Sequence, residues 1–322
     1  MLEKSLEGSL LSPFWVEVDP DRLHAFAQAT GQTNPQYLDL AVARAQGYPD
    51  LPIPPTFYFC LEMAAPQPME IYERLGVDYA RVLHGEQHFH YYRMAFAGER
   101  LHFAPRITSL YARKDGALEF IVRDTRVEAE NGERVADLRS VMVVNHALAI
   151  SSSQSASDRV DVAIYSASSS NKDLKTQPSN SLEELVTLPI TRDTLLRYAK
   201  ASWDENPLHV DQSYARQAGH PDVFAHGMLS AAYLSRLLTN CLDQAAIDSI
   251  HLRFVAITRL GDAVHAQVSD IASDSVSVIS DPAHIVKINT FNQHGECKVV
   301  GTARIRMDLG NSYRQPPSPR QY

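Results

Sequence analysis

Two stretches of the chain, 86–146 and 249–307, alternate apolar and polar residues at the period of a β-strand. Glycine-containing turns interrupt the alternation. The pairs Asp115-Gly116 and Asn131-Gly132 in the first stretch are typical of β-hairpins, and His294-Gly295 interrupts the second stretch in the same way. Each stretch therefore predicts an antiparallel sheet, and the second sheet includes strands near 284–291 and 299–307.

The segments that precede the two sheets carry helical patterns. Thr191 and Thr194 predict the N-terminal cap of a helix that contains Leu195 and Tyr198. The run 228–242 is apolar almost all round, which is typical of a helix buried on every side. Helical segments followed by antiparallel strands indicate the α+β class, and we expect the sheet of each half to wrap around a central helix.

The two halves share an internal repeat. Residues 29–39 and 201–211 both read Ala-x-x-x-x-Asn-Pro-x-x-x-Asp, with a constant offset of 172 (206 minus 34). The chemistry of the two copies differs at two positions, where Gln32 aligns with Asp204 and Tyr37 aligns with His209. An amide does not titrate and a phenol titrates near pH 10, so the first copy has no proton-transfer pair for neutral pH. We expect one working site per chain, in the second half.

The composition of the chain argues against several classes of function. The 322 residues carry a formal net charge of −8, and no basic stripe is visible, which argues against a nucleic-acid partner. No apolar run reaches membrane-spanning length, and the N-terminus lacks the apolar region of a signal peptide. The three cysteines lie far apart without a CxxC pair, which suits a reducing compartment. We therefore expect a cytoplasmic protein with no membrane partner.

Serine-rich composition divides the chain into segments. Residues 151–153, 168–170 and 178–181 are rich in serine, which predicts a polar linker between the halves. The proline-rich end predicts a disordered tail. The expected boundaries are a first half at 1–148, a linker at 149–182, a second half at 183–308 and a tail at 309–322.

The candidate chemistry lies in the second copy of the repeat. Asp204 and His209 lie five residues apart around an Asn-Pro turn, and together they supply an acid and base pair. Gly227 opens the apolar run at a predicted helix N-terminus, where a backbone N–H can stabilise a developing negative charge. Asn206 and Pro207 are expected to shape the turn, and Asp211 to cap a helix over 212–218.

The motifs resemble a known family. The run 201–211, with Gly227 and Ser235 downstream, resembles the signature of MaoC-like (R)-specific enoyl-CoA hydratases and 3-hydroxyacyl thioester dehydratases. Leu83-His84-Gly85-Glu86 and the segment 50–56 are similar to the dehydratase-like module that precedes this signature in two-domain members. The resemblance implies a tandem, or double, hot-dog fold with a catalytically degenerate first half.

The resemblance also implies roles for residues of the second half. It assigns catalysis to Asp204 and His209, and the role of oxyanion donor to the N–H of Gly227. Ser235 is expected as a supporting hydroxyl, and Asn206 is expected beside the substrate. Trp203 departs from the family, because many members have glycine at that position.

The implied reaction is reversible syn hydration of trans-2-enoyl thioesters, read backwards as dehydration of (3R)-hydroxyacyl thioesters in fatty acid metabolism. The resemblance implies acyl-CoA as the substrate, with acyl carrier protein as another carrier, and no cofactor. No metal is expected, because strand polarity accounts for His84, His88 and His90. The chain is expected to be a monomer whose two hot-dog halves form a pseudo-dimer, or a homodimer.

Two alternatives stay open at this point. A mesaconyl-type branched dicarboxylyl-CoA hydratase would need an arginine in the pocket, and Arg253, Arg259 and Arg304 cannot be placed from the sequence. A non-catalytic acyl-thioester binding subunit would be expected to lack Asp204 or His209, and both are present.

Overall fold

The computed structural model describes residues 2–146, 183–273 and 283–306. The predicted linker and the predicted tail lie outside the described residues. The first half contributes five strands to an antiparallel sheet: β1 (Phe14–Glu17), β2 (Val82–Tyr91), β3 (Arg100–Arg113), β4 (Leu118–Ala129) and β5 (Arg134–Asn145). The second half contributes five more: β6 (Glu183–Val186), β7 (Ile247–Phe254), β8 (His265–Ser273), β9 (Ala283–Phe291) and β10 (Cys297–Arg306).

The ten strands form one continuous sheet in the order β1-β3-β4-β5-β2-β7-β10-β9-β8-β6. This order is the same when read from either end once each strand is replaced by its counterpart in the other half. The two halves meet where β2 pairs with β7, with Phe89 opposite Ile250 and His88 opposite His251. The predicted hairpin turns lie between β3 and β4, between β4 and β5, and between β9 and β10.

The helices follow the same repeat. The first half has α1 (Pro20–Ala29), α2 (Leu40–Ala45), α3 (Phe57–Glu62) and α4 (Glu70–Leu75), with 3-10 turns at Lys4–Leu6, Pro35–Tyr37 and Tyr79–Arg81. The second half has α5 (Arg192–Ser202), α6 (Pro207–Val210), α7 (Gln212–Gln217) and α8 (Gly227–Cys241), with a 3-10 turn at Gln244–Ala246. The α+β class is therefore confirmed. No described helix is long and apolar enough to cross a lipid bilayer.

The repeated residues are capping residues. Asn206 accepts a hydrogen bond from the N–H of Leu208 and begins α6, and Asn34 does the same for the turn at Pro35–Tyr37. Asp211 caps α7, as Asp39 caps α2. The predicted capping box of Thr191 and Thr194 begins α5. Side-chain oxygens satisfy first-turn N–H groups in each case, which explains why the sequence repeats at these positions.

The central helices of the two halves differ in length. In the second half α8 has 15 residues and is buried along most of its length, as its apolar run predicts. In the first half the matching helix α3 has six residues, and the chain then turns away towards α4. Both halves therefore have a buried helix at the predicted place, and that of the first half is the shorter.

Candidate active site

A cavity of about 110 Å³ lies between the two halves. The second half contributes Asp204, Asn206, His209 and Gly227 to its wall, together with apolar residues such as Phe224 and Phe254. The first half contributes mainly apolar and aromatic residues: Phe59, Met63, Met69, Tyr72, Tyr79, Val82, Leu83 and Met142. The structure therefore brings four of the five predicted site residues into one cavity.

A short turn between α5 and α6 holds Asp204, one member of the predicted acid and base pair. The N–H of Asp204 donates to the hydroxyl of Ser202 at 3.2 Å, and Asp204 Oδ1 accepts from the N–H of Asn206 at 3.4 Å. Burial raises the pKa of Asp204, although the neighbouring His209 and the N–H of Asn206 act in the opposite direction. A raised pKa favours the protonated carboxylic acid, which can donate a proton.

His209 has one defined tautomer. Its Nδ1 lies 2.8 Å from the carbonyl oxygen of Phe224, which can only accept a hydrogen bond, so Nδ1 carries the proton. The lone pair therefore lies on Nε2. Burial, followed by the neighbouring His226, lowers the pKa of His209 to about 3. A neutral imidazole with a lone pair on Nε2 can act as a general base at neutral pH.

His226 supports both of these groups. Its ring centroid lies 3.9 Å from that of His209, and its Nε2 donates to the carbonyl oxygen of Asp204 at 2.9 Å. Burial lowers the pKa of His226 to about 4, so this ring is also neutral at pH 7. His226 thus packs against His209 and anchors the backbone of Asp204.

Gly227 is the first residue of α8, where the N–H groups of the first turn have no acceptor within the helix. A Cβ at this position would lie 2.9 Å from Cδ1 of Phe254. The close neighbour that requires glycine here is therefore the Phe254 ring on β7. The N-terminus of a 15-residue helix at the cavity wall is suited to stabilise negative charge.

Ser235 lies outside the cavity lining. It is buried within α8, about 12 Å along the helix axis from Gly227. Ser230, one turn from Gly227, lines the cavity, and its hydroxyl lies 3.4 Å from that of Thr258. The predicted role of Ser235 stays a prediction that its position does not support, and Ser230 is the serine of α8 that borders the cavity.

The two residues of the first half that align with Asp204 and His209 make structural contacts. The side chain of Gln32 accepts from the N–H groups of Thr33 and Asn34. The hydroxyl of Tyr37 is hydrogen-bonded to Gln244 of the second half. Gln32 therefore stabilises the turn of the first copy of the repeat, and Tyr37 connects this copy to the second half.

Gly85 gives the segment 83–86 its shape. A β-bulge interrupts the pairing of β2 with β5 between His84 and Glu86. A Cβ at Gly85 would lie 2.7 Å from Cγ2 of Val143, so only glycine fits. Residues two apart normally share a face of a strand, and the bulge breaks this rule. His84 therefore faces the cavity, while Glu86 lies on the opposite face of the sheet.

His84 is the group that the sequence interpretation missed. Its ring lies between Phe59 and Phe254, with centroid distances of 5.4 and 4.9 Å. Burial lowers its pKa to about 4, and its Nε2 lies 3.1 Å from Oε1 of Gln87. The motif containing His84 was visible in the sequence, but a regular strand would have placed His84 and Glu86 on one face.

Arg123 is the arginine at the cavity wall. Its Nη2 lies 2.6 Å from Oε2 of Glu62, and the pair is buried. Arg253, Arg259 and Arg304, the arginines considered from the sequence, do not belong to the lining of this cavity. The charge of Arg123 is therefore balanced by a carboxylate of the protein.

Comparisons with known proteins agree with this architecture. Residues 6–138 match the family model for the dehydratase domain region of FAS1-like proteins, and residues 173–281 match the model for the MaoC-like domain. A UPF0336 protein of Streptomyces griseus is 36% identical over 147 residues, which cover 45% of this chain and 97% of that protein. A UPF0336 protein of Streptomyces coelicolor is 42% identical over 101 residues, which cover 31% of this chain and 67% of that protein.

Solved structures share the fold along most of the chain. One described as a MaoC-like dehydratase has a TM-score of 0.71 at 23% identity, over 91% of this chain and 97% of that one. A Mycobacterium tuberculosis protein described as having a double hotdog fold has a TM-score of 0.56 at 11% identity, over 92% and 94% of the two chains. The fold is therefore a double hot-dog, in which each half contributes five strands to the continuous sheet. The chain thus combines a FAS1-like dehydratase region with a MaoC-like domain, and its relatives show that it belongs to the UPF0336 family.

Proposed function

We propose that this protein catalyses reversible syn hydration of trans-2-enoyl thioesters, with CoA as the carrier. The observation that carries the proposal is the pairing of a neutral imidazole with a carboxyl group of raised pKa beside the N-terminus of α8. Opposite shifts of two neighbouring groups are what acid and base catalysis require. The match to the MaoC-like domain supports a hydro-lyase reaction.

In the hydration direction, Nε2 of His209 takes a proton from water while the water oxygen bonds to the β-carbon. The π electrons move towards the thioester oxygen, and the N–H of Gly227 donates to that oxygen. The carboxylic acid of Asp204 gives its proton to the α-carbon, and the imidazolium then returns a proton to the carboxylate. Because both side chains lie on one turn, water and proton reach the same face of the double bond.

The first half supplies the surface for the acyl chain. Phe59, Met63, Leu83 and Met142 supply apolar side chains to the wall of the cavity that also contains Asp204 and His209. The first half has Gln32 and Tyr37 where the second half has Asp204 and His209, so it offers no proton-transfer pair of its own. We propose that this half binds the hydrocarbon chain of medium-length or longer substrates, while the second half carries out the chemistry.

The first experiment follows the loss of enone-thioester absorbance with crotonyl-CoA and with trans-2-decenoyl-CoA. Asp204→Asn and His209→Gln are each expected to lower kcat/KM by about 10²–10⁴, the usual contribution of a positioned acid or base. Glu205→Gln is the matched control, because Glu205 is an exposed carboxylate next to Asp204. Full activity in Asp204→Asn would refute the assignment. Absence of turnover by the wild-type protein would favour an acyl-thioester binding role.

A second experiment tests the acyl wall. Met63→Trp fills space in the first half, and we expect it to lower kcat/KM for decenoyl-CoA by about tenfold or more while leaving crotonyl-CoA turnover nearly unchanged. Met63→Leu, which nearly conserves volume, is the control. Equal losses for both substrates would show that the long chain does not reach this wall.

The dicarboxylyl alternative is weaker on electrostatic grounds. The arginine of the cavity, Arg123, is already paired with Glu62, so the described residues of the wall offer no uncompensated positive charge for a second carboxylate. We therefore expect mesaconyl-CoA to be hydrated no faster than crotonyl-CoA. A clear preference for mesaconyl-CoA that is lost in Arg123→Met would reverse this ranking.

A further inference from the structure

Three metal-ligating side chains converge on the face of the sheet opposite the candidate active site. Glu86 and His88 lie on β2, and His251 lies across the seam on β7. Their neighbours along the strands, Phe89 and Ile250, are buried on the helix side, so the three side chains share the outer face. All three are partly exposed, with side-chain accessibilities of 20%, 33% and 49%.

Their donor atoms already lie close together. Oε2 of Glu86 is 3.3 Å from Nε2 of His88 and 3.7 Å from Nε2 of His251, and all three ligand atoms lie within 4.8 Å of one another. Ligand bonds of 2.0–2.2 Å in a tetrahedral zinc site place neighbouring donor atoms about 3.4 Å apart. Only small side-chain rotations would be needed to direct all three atoms at one ion.

The chemistry of the donor set is also suitable. Two imidazoles and one carboxylate favour Zn²⁺ and neighbouring divalent transition metals over Mg²⁺ or Ca²⁺. The two imidazole rings are stacked with centroids 3.7 Å apart, which keeps both nitrogens on the side of Glu86.

The surrounding charges limit the affinity without blocking the site. Arg139 lies opposite His88 on β5, but both oxygens of Asp124 hold its guanidinium at 2.6 and 2.8 Å. Arg253 lies opposite Glu86 on β7 and adds positive charge beside the site. This charge opposes a cation, so the site is expected to bind less tightly than a four-ligand structural zinc site.

We propose that Glu86, His88 and His251 form a binding site for Zn²⁺ or a similar divalent transition metal, which links the two halves of the chain at the seam between β2 and β7. Three protein ligands leave at least one coordination position for water. The ion would clamp the two strands from the solvent side, where five residue pairs join the halves. The site lies on the other face of the sheet from Asp204 and does not depend on the proposed hydratase activity.

The test uses the full chain after dialysis against EDTA, titrated with ZnCl₂ by calorimetry and with CoCl₂ by visible absorption, which reports tetrahedral coordination. We expect one equivalent to bind, and the affinity to fall about tenfold or more in His88→Gln and in His251→Gln. His90→Gln is the matched control, because His90 lies two residues from His88 on the same strand face. This variant is expected to bind as the wild type does.

Thermal unfolding gives a second measurement. Zn²⁺ is expected to raise Tm in the wild type and in His90→Gln, and to leave it unchanged in His88→Gln, because an ion that binds only the folded state stabilises it. Binding of equal affinity in wild type and His88→Gln, or an absence of binding to the wild type, would overturn the proposal. The Tm of the wild type and of the three variants is first measured without metal, so that a folding defect in a variant is detected separately from a loss of binding.

Discussion

Burial has opposite consequences for the two groups of the proposed catalytic pair. It raises the pKa of Asp204, because the ionised carboxylate is the charged form, and lowers that of His209, because the imidazolium is the charged form. A single cavity of low polarity therefore favours both a carboxylic acid and a neutral imidazole.

The buried imidazole of His226 makes a testable contribution to stability. Its folded pKa of about 4 lies below the unfolded value near 6.5, so the unfolded state binds more protons between these limits. Stability is therefore lost as the pH falls from 6.5 towards 4. For these two pKa values the loss between pH 7 and pH 5 is about 2 kcal/mol.

His226→Gln is expected to remove this contribution. Urea unfolding at pH 7 and pH 5 should show a decrease in stability that is about 2 kcal/mol smaller in the variant than in the wild type. Absolute stability at pH 7 is expected to fall, because the ring also packs on His209. His24→Gln, on the outward side of α1, is the control and should keep the wild-type decrease. Identical decreases in wild type and His226→Gln would contradict the prediction.

Two opposing effects on stability act at Trp203, the residue that ends α5. Trp203 is in the left-handed region, with φ 60° and ψ 16°, where a residue other than glycine is strained. Its ring lies 3.6 Å from the guanidinium carbon of Arg22 on α1, which is a cation–π contact between the two halves. The contact offsets the backbone strain that the tryptophan introduces.

Two substitutions separate these effects. Trp203→Gly and Trp203→Ala both remove the ring, and they differ in how well they tolerate a positive φ. We expect the glycine variant to be more stable than the alanine variant by about 1 kcal/mol in urea unfolding. The alanine variant is expected to be less stable than the wild type, because it loses the contact with Arg22. Equal stability of the two variants would show that the left-handed backbone carries no strain.

The elements that the sequence predicted well are those with local signals. The turn at Asn206, the cap at Asp211 and the hairpin turn at Asn131-Gly132 follow from residues close together in the chain, and the structure has them. The buried helix α8 was predicted for the same reason. The repeat then related each of these elements to a partner in the other half.

The elements that the sequence predicted poorly depend on contacts between distant residues. The shortening of α3 follows from the turn of the chain towards α4, and the direction of His84 follows from a bulge that is defined by the partner strand β5. The candidate acid and base were found because both lie on one turn. The first-half wall of the cavity was missed in detail because the pairing of β2 with β7 creates it.

At the scale of the whole molecule, the two halves share one hydrophobic core. A single buried cluster contains Phe26 and Phe57 from the first half with Tyr198 and Leu229 from the second. The rings of Phe26 and Tyr198 lie 6.1 Å apart where α1 packs against α5. Each half alone would expose this surface and the edge of β2 or β7, both of which are unfavourable in water.

The shared core predicts that neither half folds independently but that the pair needs no covalent link. Two chains covering 1–150 and 180–322 break the polypeptide between the described parts of the halves, and we expect them to copurify as a 1:1 complex when coexpressed. Their Tm is expected to rise with concentration, because each tenfold increase adds about 1.4 kcal/mol to the free energy of association. The Tm of the intact chain should be independent of concentration. A fragment 1–150 that unfolds cooperatively by itself, at the Tm of the intact chain, would show instead that the halves are independent folding units.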